Sequence, residues 1–327
     1  MDTYIALGYA CNHSCSCCPL TTFDRLHSQL SVEELQAKVA LLLEGTSNSN
    51  EQNVVLSGGE PFLHPAFYDL LKKLLGAGIN VTVLTNATQI ATPGAQAKIS
   101  DILLFPQEKR PRLRIVAAVH SSDNVIHDRI TGCEGSLWDT IKGLDFAVKN
   151  DLDVTVKVIL SKANAETLID TIAYLDEHFP TNVTIQFCGM DYSGRAAKNL
   201  DKLLISFTEI QEKLEATLDY LVEKNNTRLQ KNKPVRKVSI IELPLCACDP
   251  YYWRFFSMPP QEQKQYIAPN DAARQMPTLS TANAQCGCFY EECQNCKAKR
   301  YCSGTWRTTY RFVNNCLRPF TEESNNV

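Results

Sequence analysis

Three cysteines, Cys11, Cys15 and Cys18, fall within eight residues, close enough for one short loop to wrap three thiols around a metal centre. Thiolates are the preferred ligands of iron-sulfur clusters, and three of them hold three corners of a four-iron cubane while the fourth iron stays open. An open coordination position is what a metal needs if it is to bind a substrate or cofactor instead of bracing the fold. The same spacing also suits a zinc knuckle, which wants four protein ligands and could take its fourth from His13 or Cys17.

Two further features bear on that choice. Ser57-Gly58-Gly59-Glu60-Pro61 pairs glycines, which let backbone approach a ligand closely, with a carboxylate suited to a ligand ammonium group. Near the other end of the chain lie Cys246, Cys248, Cys286, Cys288, Cys293, Cys296, Cys302 and Cys316. Cys293-x2-Cys296 with Cys302 and Cys316 suffices for one four-thiolate cluster, and the two Cys-x-Cys pairs supply four more thiols; a zinc ribbon is the alternative. Cys133 and Cys188 read as buried apolar thiols, although Cys188, at a strand exit, could face a cavity as a hydrogen-atom donor.

The elements that must position these residues alternate short β-branched runs with segments of helical period from Tyr4 to about Gln230, the pattern of βα units around a parallel sheet. Six units are expected, with strands at Tyr4 to Leu7, Val54 to Leu56, Val81 to Leu84, Leu113 to Val119, Val154 to Leu160 and Val183 to Phe187. The first helix opens on a capping box, Ser31 and Glu34, and the second begins near Pro65. The third is weak and interrupted by Pro93; the last runs from about Phe207 to Gln230. Six units are fewer than the eight of a closed (β/α)8 barrel, so the expected α/β fold is an open one, a partial (β/α)6 TIM-type barrel or an open sheet. A core at 1–232 and a cysteine-rich C-terminal domain at 233–327, opening on PVRKVSIIELPLC as a last strand, complete the expected organisation.

Cys-x3-Cys-x2-Cys after strand one together with Gly-Gly-Glu-Pro after strand two resembles the radical S-adenosylmethionine (SAM) superfamily, over Tyr4 to about Asn199. Thr85-Asn86, His120-Ser121, His127-Asp-Arg-Ile-Thr-Gly132 and Gly194-Arg195-Ala196 are similar to segments of its peptide-modifying members. The resemblance implies a 4Fe-4S cluster on Cys11, Cys15 and Cys18 whose open iron chelates the methionine moiety. It implies that Gly58, Gly59 and Glu60 hold the ammonium, and that Ser121 and Arg195 contact ribose or carboxylate. The residue before the third cysteine is usually aromatic in the family; here it is Cys17, which cannot stack and leaves Cys15-x-Cys17 as an alternative ligand pair. The C-terminal cysteines resemble the SPASM or twitch domain with its auxiliary clusters, except that Trp306 stands where the longer pattern has another cysteine.

By the same resemblance, reductive cleavage of SAM yields a 5′-deoxyadenosyl radical that abstracts hydrogen from a peptide substrate, giving a carbon-carbon or thioether crosslink or an epimerisation. A radical SAM enzyme acting on a small molecule or a sulfatase-type protein residue shares every motif, and a zinc-bracketed binding protein is the reading from a different class. The implied partners are the peptide and an electron donor such as flavodoxin or ferredoxin; since the chain starts almost at strand one, any leader recognition is expected from the barrel, the tail or a separate leader-recognition protein. A formal net charge of −3 without a basic stripe argues against nucleic acid, and the absence of a signal sequence or a run of roughly 20 apolar residues argues against a membrane. A cytoplasmic protein is expected, its 14 cysteines serving metals and not disulfides.

Overall fold

The computed structural model describes residues 2–27, 29–44, 53–104, 112–257, 265–269, 286–309 and 317–321. Six strands, β1 (Asp2–Ala6), β2 (Asn53–Ser57), β3 (Asn80–Thr85), β4 (Leu113–Ala118), β5 (Asp153–Ile159) and β6 (Thr184–Cys188), lie side by side in sequence order, each parallel to the next. Helices α1 (Thr22–His27) and α2 (Val32–Glu44) follow β1, α3 (Phe67–Gly76) follows β2 and α4 (Pro93–Leu103) follows β3. Next come α5 (Asn124–Thr131) and α6 (Ser136–Lys149) after β4, α7 (Leu168–His178) after β5, and α8 (Leu200–Leu203) and α9 (Phe207–Gln230) after β6. The six expected βα units are all present, and the result is a partial TIM-type barrel. The sheet then runs past Lys231: β7 (Val238–Ile241) adds parallel to β6, and β8 (Gln265–Ile267) adds parallel to β1 at the opposite edge. A separate antiparallel ribbon pairs β9 (Cys286–Cys288) with β10 (Thr305–Trp306).

Period-2 alternation explains the layering. Ile5, Val54, Leu56, Val81, Val83, Ile115, Val154, Val156, Ile185, Phe187 and Ile240 face the helices and are almost wholly buried with the apolar faces of α3, α6, α7 and α9. The intervening residues turn inward, and Tyr4, Val55, Thr82, Leu84, Arg114, Val116, Lys157, Gln186 and Ile241 line a cavity of about 500 Å³ inside the barrel. The polar residues in Val-Thr-Val-Lys-Val and Thr-Ile-Gln-Phe therefore mark the cavity face.

The Ser31–Glu34 capping box forms as expected: Ser31 N donates to Glu34 Oε2 at 2.8 Å, and Glu34 N to Ser31 Oγ at 3.1 Å. Two proline readings are corrected. Pro65 precedes α3, which starts at Phe67 after Ala66 N has donated to His64 Nδ1 at 3.2 Å. Pro93 opens α4 instead of interrupting it, because the first helical residue has no use for an N–H, and Thr92 Oγ1 caps Ala95 N at 3.3 Å. No helix among the described residues is long and apolar enough to cross a membrane.

Arg236, 2% exposed, locks the entry to β7. Its guanidinium makes five hydrogen bonds: Nε to Asp176 Oδ1 (2.8 Å), Nη1 to the carbonyls of Pro180 (2.6 Å) and Val183 (3.0 Å), and Nη2 to those of Asp176 (2.9 Å) and Phe179 (2.7 Å). Arg228 closes on the other Asp176 oxygen at 2.6 Å. Removing one partner of such a buried network strands the rest, so Arg236→Met is expected to cost about 3–5 kcal/mol in urea unfolding. A loss below about 1 kcal/mol, the range of an exposed pair, would contradict this role.

Candidate active site

The segment between β1 and α1 that carries Cys11, Cys15 and Cys18 has almost no regular structure of its own, so its shape comes from neighbouring strand exits. Ser14 N and Ser16 N donate to the carbonyls of Thr131 and Ile130 at 2.8 Å, tying the loop to the end of α5. From the β6 exit, Arg195 N and Ala196 N donate to the Cys18 carbonyl at 3.0 and 3.2 Å, and Arg195 Nη2 donates to the Ser14 carbonyl at 2.6 Å. Arg25, in α1, donates through Nη2 to the carbonyls of Cys11 (2.7 Å) and His13. Sequence reasoning missed Arg25; an arginine directly after a cysteine-rich loop is the signal that was there.

The exit of β2 holds the beginning of the same loop. Gly59 N donates to the Gly8 carbonyl and Glu60 N to the Ala10 carbonyl, both at 2.8 Å. A Cβ on Gly58, whose φ is +130°, would lie 2.1 Å from the Gly8 oxygen, and one on Gly59 2.1 Å from the Ala10 oxygen. The glycine pair is thus required by backbone contact between two loops. No described residue donates to the carbonyls of Gly58 or Gly59.

Glu60 is buried and its carboxylate turns toward the β3 exit, accepting from Thr85 Oγ1 (2.8 and 2.9 Å), Asn86 N (2.7 Å) and Phe62 N (3.1 Å). Burial outweighs these three donors and pushes its pKa up to about 7. A carboxylate raised in the folded state adds stability that is complete below its unfolded value and lost as pH rises through about 7. Glu60→Gln should therefore flatten the fall in unfolding midpoint of the cofactor-free protein between pH 5 and 8, measured against wild type in urea. An unchanged slope would show that Glu60 does not titrate there.

The structure separates the two neighbouring candidate thiols. Cys17 is buried in an apolar cluster with Ile130, Met190, Tyr192, Ala196 and Leu203, whereas Cys11, Cys15 and Cys18 are partly exposed. Burial raises the thiol pKa of Cys11 and Cys18, and the Arg25 guanidinium opposes the rise at both. Cys15 is raised further, by its hydrogen bond with Cys17 and by burial. No three His, Cys, Asp or Glu among the described residues converge on a single ion-sized site.

Ser121 is fully buried, with Oγ 3.0 Å from Thr167 Oγ1 and accepting from Asp123 N at 3.1 Å, so it shapes the β4 exit. Arg195 braces the thiol loop as described. The His127–Gly132 motif is a clamp as well: His127 Nδ1 accepts from His120 N at 3.1 Å, and Asp128 accepts from Gly135 N, Ser136 Oγ and Leu137 N at 2.7–3.1 Å, capping α6. Cys188 is buried, its thiol donating to Glu242 Oε2 at 2.8 Å.

Of the C-terminal thiols, Cys246, Cys293, Cys296 and Cys302 line one cavity with Trp253, Phe289, Leu317 and Phe320. Leu245 N and Gly304 N donate to Cys302 Sγ, each at 3.3 Å. Burial pushes Cys246 up to about 11. Cys248 is not brought to this cavity; it is buried near Glu215 and Asp249, and that burial drives its pKa up to about 12. Only the backbone of Cys286 and Cys288 is described, and Cys316 lies outside the described residues. The region docks on the β6 exit through Thr308 Oγ1, which donates to Asp191 Oδ1 at 2.6 Å, and Thr309 Oγ1, which donates to the Met190 carbonyl at 2.6 Å.

Residues 5–175, just over half of the 327, match the Radical SAM superfamily. The chain belongs to the radical SAM superfamily. A probable GTP 3′,8-cyclase of Sulfurisphaera tokodaii is 28% identical over 178 residues, 54% of this chain and 52% of that protein. An AdoMet-dependent heme synthase of Methanosarcina barkeri is 23% identical over 172 residues, 52% of this chain and 46% of that one. The chain thus spans about half the length of these curated relatives. Among solved structures, native anSMEcpe with bound AdoMet and Cp18Cys peptide superposes with a TM-score of 0.62 at 14% identity, covering 98% of this chain and 92% of that one. Streptococcus suis SuiB bound to S-adenosylmethionine gives 0.60 at 12% identity, covering 100% and 77%. At these identities the likeness is one of fold.

A radical SAM enzyme uses a 4Fe-4S cluster and SAM, which sets the zinc-bracketed alternative aside. The residues fit those groups: three partly exposed thiols on one braced loop, a fourth thiol turned away, and two glycine carbonyls with no donor among the described residues at the neighbouring strand exit. Cys18→Ala should remove about four iron atoms per chain from anaerobically reconstituted protein, while Cys17→Ala keeps them. The reverse result would exchange their roles.

Proposed function

We propose that this radical SAM enzyme modifies a peptide, abstracting a hydrogen atom from an unactivated side-chain or α-carbon and leading to a crosslink or an epimerised centre. Four C-terminal thiols on one cavity, docked against the barrel beside the thiol loop, carry the reading. A fold of this extent, covering 98% of the chain, belongs to a protein whose structure holds both AdoMet and a peptide.

Cys11, Cys15 and Cys18 would hold the SAM-binding cluster, and the carbonyls of Gly58 and Gly59 would accept from the ammonium of SAM, with Glu60 fixing that strip to β3. When bound, these two groups supply a 5′-deoxyadenosyl radical upon one-electron reduction. Arg195, Arg25 and the α5 end keep the loop in place, and Ser121 supports the β4 exit. Cys246, Cys293, Cys296 and Cys302 would hold an auxiliary cluster; Cys248 is left out of that set, and Cys286, Cys288 and Cys316 are the thiols for a second. The core ends and the C-terminal domain begins near residue 232, with β7 and β8 returning to the barrel sheet. An external low-potential donor such as flavodoxin or ferredoxin delivers the electron, and cytoplasmic reducing conditions suit the clusters.

Reduced, reconstituted enzyme is expected to release 5′-deoxyadenosine from SAM, and Cys11→Ala to abolish it. Replacing Cys246, Cys293, Cys296 and Cys302 together should remove about four further iron atoms. Coexpression with short peptides encoded beside this gene, followed by tandem mass spectrometry, reads the modification. Turnover of small molecules with no change in any peptide would overturn the peptide reading.

A further inference from the structure

Lys157 projects from the inner face of β5 into the barrel cavity, in register beside Ala118 of β4 and Gln186 of β6. The neighbouring polar groups are occupied with one another. Arg114 pairs with Asp153 through Nε and Nη2 at 2.9 and 2.7 Å, Gln186 Nε2 donates to Ser239 Oγ at 3.1 Å, and Glu242 Oε2 accepts the Cys188 thiol at 2.8 Å. The Lys157 ammonium hydrogen-bonds no described residue. Val55, Leu84, Val116 and Ile241 wall part of the same space, and Arg112, Arg114, Asp153 and Glu242 are among the residues that line the rest.

An ammonium in a protein-lined space is costly without an anionic partner, and a lysine there commonly gives up its proton. Lys157 is shifted the other way, its pKa raised by the nearby Cys188 thiol against the opposing effect of burial, with Glu242 and Tyr4 adding to the rise. The site keeps a positive charge that no described residue hydrogen-bonds. Phosphate sites usually gather Arg forks or backbone N–H groups at a helix N-terminus. With Arg114 committed to Asp153 and Arg112 exposed at the entry to its strand, the Lys157 ammonium is the cation left to match one compact monoanion.

We propose that Lys157 is a substrate-anchoring residue that pairs with a carboxylate of the peptide, so the enzyme selects a segment carrying an acidic side chain or a free C-terminus. The anchor rests on the peptide reading above. It places the carboxylate inside the barrel, below the strand exits that carry the thiol loop, and leaves the neighbouring carbons of the peptide toward those exits. Proximity of this kind turns a reactive encounter into an intramolecular one.

Calorimetric titration of reconstituted enzyme with saturating SAM tests the anchor without turnover. The probes are N-acetyl-glutamate amide against N-acetyl-glutamine amide, for a side-chain carboxylate, and N-acetyl-alanine against its amide, for a C-terminal one. At least one carboxylate is expected to bind about tenfold more tightly than its amide, and the preferred pair identifies the source. Lys157→Met should bring the pair within about twofold, and Lys157→Arg should restore part of the preference. The Met variant should lose little thermal stability, since the Lys157 ammonium hydrogen-bonds no described residue. Equal binding of acid and amide by wild type, a preference that survives Lys157→Met, or a marked loss of thermal stability in that variant would each overturn the anchor. Absence of 5′-deoxyadenosine formation would instead strike the radical reading, and neither measurement depends on the other.

Discussion

The architecture of the site depends on one constraint: a loop that must present three thiols has to be held by backbone it does not own. Loops without secondary structure leave their N–H and C=O groups in need of partners. Here those partners sit on the exits of β2 and β6, on the end of α5 and on α1. One close contact is the approach of Gly58 and Gly59 to Gly8 and Ala10, where any side chain would collide with a carbonyl oxygen. Parallel strands in register bring these exits to one rim, so the sheet's order becomes the geometry of the thiol loop.

The stretch from Met190 to Ala196 extends that constraint to the second cysteine region. Its first residues accept hydrogen bonds from Thr308 and Thr309, and its last residues donate to the Cys18 carbonyl. Tyr192 and Met190 also enclose Cys17. A single segment after β6 therefore fixes which thiol of the Cys17–Cys18 pair faces outward and where the C-terminal region docks. Gly194 permits this turn, since a Cβ there would lie 2.1 Å from the Pro19 oxygen.

The barrel interior follows different rules from the layer between sheet and helices. Outward strand residues are apolar and close-packed, whereas the inward ones include Thr82, Arg114, Lys157 and Gln186 around open space. A polar, unfilled interior sacrifices packing that a closed barrel would gain, and such local departures from stable design concentrate at functional sites.

Much of this protein was legible before any tertiary contact was known. Hydrophobic alternation and the Ser31 capping box determine βα units locally. The spacing of Cys11, Cys15 and Cys18 with Gly-Gly-Glu-Pro is likewise a property of neighbours along the chain, and it pointed to the superfamily. What the sequence left open were long-range choices. The burial of Cys17 beside a partly exposed Cys18 comes from apolar residues more than a hundred positions away, and the placing of Cys246 but not Cys248 on the cavity of Cys293, Cys296 and Cys302 comes from the turn between them. Glu60, Ser121 and the lone Lys157 ammonium took their meaning from partners on other strands. Local pattern is set by steric and hydrogen-bonding preferences within a few residues; the exposure and partners of a side chain depend on which distant strands the sheet brings beside it.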